Sequence, residues 1–511
     1  MTAAHPSALI FRTRCDITRG MGTVRNDGLT RRWFIGGAAC ALAGCRFGGL
    51  VGDFGAAKPL ARLGVLSDVH LNRPGDEEHL VKALGYFRDH GADGVLIAGD
   101  IADTGRVDQL ERFAATWFKV FPDDLAPDGR KVERLFVYGN HDILGWTWNR
   151  DGDIYTSDAV RRRLALGFEN VRATTWERLF HEPYESVWRK SVKGVDVIGA
   201  HWTDAGDFQH AADWLARHGR ELDPSMPLIY TQHAHPKDTC YGPAAWGHDH
   251  GESTRALSAF PMAVAFSGHS HYTLVDERSV WQGAFTSIGT ATLRRTSLDY
   301  LEPENSNGNA YDPQAKTWTH RKIMRPLYRD NGKEGMLVDV CADRLVIRRR
   351  DFVFDRSLGD DWTVPLPATA DTPFAFAARA KKRAAPEFAE GSKVTVRVSD
   401  EAPSCARSDA EGPYVLVTFP AAKAVANCRT FKYHLRALDA DGKELVTRQI
   451  MAPGFNLPEA ECALPAECLF LASELPPSVA VRFEVSAAEC FGRRGRPIAS
   501  EAVVIGDLKR S

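Results

Sequence analysis

Residues 63–70 read Leu-Gly-Val-Leu-Ser-Asp-Val-His, and residues 94–103 read Gly-Val-Leu-Ile-Ala-Gly-Asp-Ile-Ala-Asp. Each is a short apolar run that breaks abruptly into acidic or histidine residues. An apolar run of this length, bounded by turn residues, reads as a strand buried on both faces. Residues 135–138, Leu-Phe-Val-Tyr, repeat the pattern just before Gly139-Asn140-His141-Asp142, and further strands are predicted at 195–199, 228–231 and 263–266. Helical periodicity fills the gaps near 79–90 and 108–121. Strands alternating with helices predict an α/β domain with helices on both faces.

Working outward, the pattern after residue 271 changes to strand-like runs separated by turn signals. Strands are predicted at 281–288, 335–340 and 345–352, with a closing edge at 362–367. An Ala-, Pro- and charge-rich stretch, 368–386, reads as a linker. Beyond it, 393–398, 414–419, 430–437 and 479–487 predict an all-β sandwich over 387–511, with Asp439-Ala440-Asp441-Gly442 as a turn. Its last strands, with Phe491-Gly492 and Arg496-Pro497-Ile498, loosely resemble a fibronectin type III domain.

The N-terminus is set apart from this globular pattern. Arg31-Arg32-Trp33-Phe34 precede a Gly/Ala-rich apolar stretch that is too short to span a membrane. The pattern resembles a twin-arginine export signal, and Met21 offers an alternative start. Leu42-Ala43-Gly44-Cys45 resembles a lipobox, in which Cys45 is lipidated and anchors the protein to the membrane; the alternative is ordinary cleavage and soluble release. Residues 1–58 are therefore read as leader, 59–367 as the catalytic domain, and the protein as exported to the cell envelope or periplasm. Five of the ten cysteines fall late (Cys405, Cys428, Cys462, Cys468 and Cys490), which in an exported protein predicts one or two disulfides without fixing their pairing. A formal net charge of −2 and the lack of a basic tail argue against a nucleic-acid binder. The runs Arg161–Arg163 and Arg348–Arg350 read as solvated faces.

Five motifs follow predicted strands in order: Asp68-Val69-His70, Gly99-Asp100-Ile101-Ala102-Asp103, Gly139-Asn140-His141-Asp142, His233 before Pro236, and Gly268-His269-Ser270-His271. Strand ends of one α/β sheet meet on one rim, so these residues can share a pocket. Imidazole and carboxylate together suit zinc, iron or manganese. Glycines before Asp100, Asn140 and His269 are expected to relieve crowding or take positive φ.

Taken together, the five motifs resemble the calcineurin-like metallophosphoesterase superfamily over roughly 60–367, with no key residue missing. The resemblance implies a fold of two mixed sheets flanked by helices. It also implies two transition-metal ions, divalent or trivalent, of manganese, iron or zinc. One would be held by Asp68, His70, Asp100 and His271, the other by Asp100, Asn140, His233 and His269, with Asp100 shared between them. A hydroxide held between the metals would attack a small-molecule phosphate monoester or diester. His141 would serve the leaving oxygen, Asp142 would orient His141, and Asp103 would accept from a ligand histidine. Asp103 also stands where purple acid phosphatases carry a tyrosine, which argues against a purple iron centre. His233 is preferred over His235 because it falls at the strand end. The alternative function is a surface protein that binds metal on this fold without turnover.

Overall fold

The computed structural model describes residues 58–144, 171, 173–241, 243–298, 310–319, 322–329, 331–369, 374–426, 428–458 and 461–508. The twin arginine, Cys45 and Arg161–Arg163 lie outside the described residues. Among the described residues no helix is long and apolar enough to cross a membrane.

The first sheet begins with β1 (Ala61–Leu66), β2 (Gly94–Ala98) and β3 (Glu133–Val137), which pair in parallel. The second holds β4 (Val187–Val192), β5 (Val195–Ala200), β6 (Leu228–Thr231), β7 (Ala263–Ser267), β8 (Val280–Gln282) and β9 (Thr286–Gly289), in the order β4-β5-β6-β7-β9-β8. The stretch 281–288, expected as one strand, is thus a hairpin: β8 and β9 pair antiparallel, Trp281 opposite Ser287, with the turn at Gly283. A short hairpin, β10 (Ala310–Asp312) and β11 (Thr317–Trp318), comes next. The chain then returns to the first sheet with β12 (Glu334–Val340), β13 (Arg344–Asp351), β14 (Arg356–Ser357) and β15 (Trp362–Pro365), in the order β14-β13-β12-β1-β2-β3, β15 also pairing with β13.

The two sheets face each other across one core. Leu63, Val65, Leu96 and Ala98 of the first pack with Val197, Ile229, Val264 and Phe266 of the second. Burying each large apolar side chain stabilises the fold by roughly 1.5–3 kcal/mol. On the outer face of the first sheet lies helix Glu77–Asp89, whose Leu80, Ala83, Leu84 and Phe87 form one buried stripe at helical spacing. Helix Val107–Val120 covers the same face through Leu110, Phe113 and Trp117. Helix Gln209–His218 covers the second sheet through Ala211 and Leu215. The result is a mixed α/β fold of two sheets flanked by helices.

The C-terminal region is all-β. It contains β16 (Thr395–Ser399), β17 (Tyr414–Phe419), β18 (Lys432–Leu438), β19 (Glu444–Met451), β20 (Ala466–Leu471), β21 (Ala480–Ala488), β22 (Ile498–Ala499) and β23 (Val503–Val504). A three-stranded sheet, β16-β17-β20, and a larger one, β11-β10-β19-β18-β21-β22, share a core that includes Leu416, Leu435, Phe470 and Phe483.

Four expectations are corrected. The hairpin β10–β11, in the stretch assigned to the catalytic domain, extends the edge of the C-terminal sheet, with Ala310 opposite Arg448. The presumed linker carries helix Phe376–Lys382, whose buried Arg379 donates to the carbonyls of Glu277 and Val280. Among the described residues Cys405, Cys428, Cys468 and Cys490 form no disulfide, and Cys405, Cys428 and Cys468 are buried as small hydrophobes. Within Arg348–Arg350, strand alternation turns Arg349 inward, in line with Leu345 and Ile347.

Candidate metal centre

β1, β2 and β3 run parallel, as do β5, β6, β7 and β9, so their C-terminal ends share a rim. Asp68, Asp100, Asn140, His233, His269 and His271 all lie within five residues of such an end. The backbone there is unusual. Asp68, His70, Asp100, His269 and His271 have φ of 50°, 47°, 53°, 66° and 51°. Non-glycine residues held in the left-handed region cost on the order of 1–3 kcal/mol each and concentrate at functional sites. The glycines play both of the parts expected of them. Of Gly99, Gly139 and Gly268, only Gly99 has positive φ, 91°. Gly139 supplies space instead, because a Cβ there would overlap the Asp100 carboxylate.

Asp68 and Asp100 are buried at the centre. Asp68 Oδ1 lies 3.0 Å from His271 Nε2 and 3.7 Å from His70 Nε2. Asp100 Oδ2 lies 3.0 Å from His233 Nε2 and 3.5 Å from His70 Nε2. The Nε2 atoms of His70 and His271 are 3.0 Å apart. Asp68, His70 and His271 form one group with metal-ligand spacing, and Asp68, Asp100 and His233 form another. Asn140 Oδ1 faces His269 Nδ1 at 3.1 Å, and the His269 and His233 ring centroids are 5.2 Å apart.

Each ring's far nitrogen fixes its tautomer. His233 Nδ1 lies 2.7 Å from the Ala98 carbonyl, and His271 Nδ1 lies 3.1 Å from the Arg295 carbonyl. His70 Nδ1 faces Asp103 Oδ1 at 3.2 Å. A carbonyl or carboxylate oxygen only accepts, so in each neutral ring Nδ1 carries the hydrogen. The Nε2 lone pairs then point at one another and at carboxylate oxygens, and buried His233 Nε2 has no hydrogen-bond partner among the described residues. Convergent lone pairs repel unless a cation lies between them, and these donors are of the type that hold zinc, iron or manganese. The residues therefore fit metal binding.

The electrostatics agree. Burial would lower the pKa of His70, but Asp103, Asp68 and Asp100 outweigh it and hold it at about 10. Burial is likewise overcome at His233, where Asp100 and Asp68 raise the pKa to about 9. Asp68 is held well below its usual range, burial being outweighed by His271 and His233. The cluster demands positive charge, which protons or metal ions can supply.

His141 Nδ1 lies 2.8 Å from the Asp103 carbonyl, and its backbone N–H donates to Asp100 Oδ1 at 2.8 Å. Burial pushes its ring down to about 4 against the pull of Asp100. The role expected of Asp142 needs correction. Its carboxylate accepts N–H bonds from Ala102 (2.6 Å), Gly139 (2.8 Å) and Ile101 (3.2 Å), tying the β2 and β3 loops together, while a backbone carbonyl holds the His141 ring. Successive residues on the helical turn Asn140–Leu144 point about 100° apart, so the neighbouring carboxylate turns away into the loop. Asp103 sits against His70, and Asn72 donates to its other oxygen.

His235 stands outside the group, its Nε2 3.3 Å from Ser270 Oγ. His201 accepts from the Tyr138 N–H in an aromatic core with Trp176 and Tyr184. His248 packs edge-on against Trp202, which also lies beside His269. The ligands open onto a cleft of about 290 Å³ lined by Asn140, His141, His269, His271, Arg295 and Ser297. Sequence reasoning missed Arg295 and Ser297. The available signal was the Arg294-Arg295 pair soon after β9, which runs parallel to β7 and ends on the same rim.

Residues 61–273 match the family model described as calcineurin-like phosphoesterase. No curated protein matches the chain. Among solved structures it is similar to a dimetal phosphatase from Danio rerio (12% identity, TM-score 0.29, covering 60% of this chain and 99% of the other). It is also similar to GAP50, the anchor in the inner membrane complex of Plasmodium (12%, 0.33, 60% and 89%), and to an archaeal phosphodiesterase (11%, 0.21, 50% and 97%). With its five motifs gathered on one rim between two sheets, the segment from residue 61 to residue 273 is a calcineurin-like phosphoesterase domain.

Proposed function

We propose that this chain hydrolyses a phosphate ester using two metal ions. One is held by Asp68, His70, Asp100 and His271, the other by Asp100, Asn140, His233 and His269. The observation that carries this reading is the convergence of Nε2 atoms whose far nitrogens are already committed to oxygen acceptors. Asp100 suits a shared ligand, because its Oδ2 faces both His233 and His70. When bound, the ions supply Lewis acidity toward the phosphate oxygens and an activated water.

The chain's own residues do the rest. The Asp103 carbonyl fixes the His141 ring, which lines the cleft. An anionic phosphoryl group beside that ring raises its lowered pKa, so His141 reaches the reaction able to protonate the leaving oxygen. Arg295, on the open side of the cleft, adds positive charge where the phosphate oxygens lie. The twin arginine and Cys45 support work at the cell envelope; the mass of the mature N-terminus decides between a lipidated Cys45 and soluble release.

The test is turnover of p-nitrophenyl phosphate, bis-p-nitrophenyl phosphate and cyclic nucleotides with manganese, zinc or iron supplied. Metal-dependent hydrolysis abolished by a chelator is expected, and the preferred substrate separates monoesterase from diesterase. Protein that holds two metals yet hydrolyses none of these esters would count against the reading.

A further inference from the structure

A second cleft, of about 570 Å³, lies between β13, helix Phe376–Lys382 and the C-terminal region. Five basic side chains line it (Arg349, Arg379, Lys382, Arg383 and Arg429) against three acidic ones (Glu277, Asp360 and Asp361). Glu277 is engaged by Arg379 at 2.8 Å and Arg383 at 3.0 Å, and Arg383 also meets the buried Glu489 at 3.1 Å. Asp361 lies 3.7 Å from Arg348. That leaves Arg349, Arg429 and Lys382 with no carboxylate within 4 Å among the described residues.

Arg349 is only 7% exposed at a core-facing strand position, yet it donates only to the backbone carbonyls of Leu274 (2.8 Å) and Asp360 (2.5 Å). Its Nε has no hydrogen-bond partner among the described residues. Arg429 likewise donates to the carbonyls of Leu457 (2.7 Å) and Phe455 (3.3 Å). Burial pushes the Arg349 guanidinium down to about 10 despite the pull of Glu277, Glu334 and Asp361, and Arg429 repels it further. A buried guanidinium with no carboxylate in contact is costly, and a second cation that repels it adds to the cost. Trp362 provides an aromatic wall, with Arg349 centred 3.8 Å over its ring.

We propose that this cleft binds a small anion carrying two or more negative charges on phosphate groups, seated between Arg349, Arg429 and Lys382. The volume is that of a ligand pocket rather than a water site. The phosphate could belong to a soluble molecule or to a lipid headgroup, and guanidinium recognition is the same for both. The cleft is lined by none of the metal-centre residues, so this site stands whether or not the catalytic reading does.

The experiment is equilibrium dialysis of the metal-loaded full chain with radiolabelled inorganic phosphate. Intact protein is compared with Asp100→Asn and with the double variant Arg429→Met, Lys382→Met. Phosphate binding that survives Asp100→Asn and weakens about tenfold or more in the double variant is expected. Binding that vanishes with Asp100→Asn, or that ignores the cleft substitutions, overturns the proposal. Lys382 is exposed, so Lys382→Met alone, expected to weaken binding roughly threefold, keeps the test valid if the double variant fails to fold. Co-sedimentation with cardiolipin vesicles, whose headgroup carries two phosphates, lost in the same variants, identifies a headgroup; phosphate binding without co-sedimentation identifies a soluble anion.

Discussion

At the strand-end rim, Asp68, Asp100 and the imidazoles of His70, His233 and His271 turn acceptor atoms toward one another. In the cleft beside the C-terminal region, Arg349 and Arg429 bring two donors together with only carbonyls to satisfy them. Neither arrangement is what folding alone selects, because like groups held close raise the energy of the native state. The two regions differ in how they are held. The rim is fixed by backbone in the left-handed region and by hydrogen bonds at the far nitrogens of His233 and His271. The cleft rests on side chains from β13, a short helix and loops. Positional accuracy is therefore built into the acceptor-rich rim, as chemistry requires, whereas the donor-rich cleft needs only charge, which suffices for binding.

The comparison breaks hardest at Asp100. Asp100→Asn removes the carboxylate that faces both histidine sets, and turnover should fall by roughly 10³-fold or more with loss of bound metal. Metal content by elemental analysis, beside kcat, checks this. Lys382→Met in the cleft should leave both readings unchanged. His141→Ala comes next: kcat should fall on the order of 10²–10⁴-fold while both metals stay bound. Loss of metal along with activity would make His141 a ligand instead.

Protons provide the third test. In metal-free protein the folded-state pKa values of His70 and His233 are raised to about 10 and about 9. A raised histidine contributes stability that is complete below its unfolded value and disappears as pH climbs through the folded one. The metal-free protein should therefore lose melting temperature between about pH 6.5 and pH 10, by an amount worth a few kcal/mol. Metal-loaded protein, with neutral rings, should not. Loading near neutral pH should also release protons, detectable by calorimetry in buffers of different ionisation enthalpy. A metal-free melting temperature that stays flat over this range would mean that the acceptors are not short of a cation.

Much of this was readable from the chain. Parallel strands buried on both faces leave continuous apolar runs, so β1, β2, β6 and β7 announce themselves, and the residues after them fall on one rim by topology alone. β4 did not, because Val187–Val192, at a sheet edge, carries three polar residues in a row (Arg189, Lys190 and Ser191) and so shows neither a continuous apolar run nor a period of two. The reach of β10 into the C-terminal sheet is a pairing between distant segments that local pattern does not encode. Arg349 was misread because three consecutive arginines suggest a solvated face, whereas strand alternation turns the middle one inward. The roles of Asp142 and Arg295 depended on side-chain direction, which spacing does not carry.

Asp142 sharpens the comparison most finely, being the rim carboxylate whose partners are all donors. It accepts three N–H bonds, and burial, reinforced by the nearby charge of Asp100, raises its pKa to about 7. In Asp142→Asn an amide hydrogen replaces one acceptor, and one of the loop N–H groups loses its partner. Stability should fall by about 1–3 kcal/mol, the cost of a buried unsatisfied donor. Turnover per metallated enzyme should change only a few-fold, because the His141 ring is held by the Asp103 carbonyl. An orienting carboxylate would behave differently: its loss would lower kcat sharply and shift the pH profile while leaving the melting temperature nearly unchanged. Denaturant titration beside a pH–rate profile tells the loop staple from the catalytic partner.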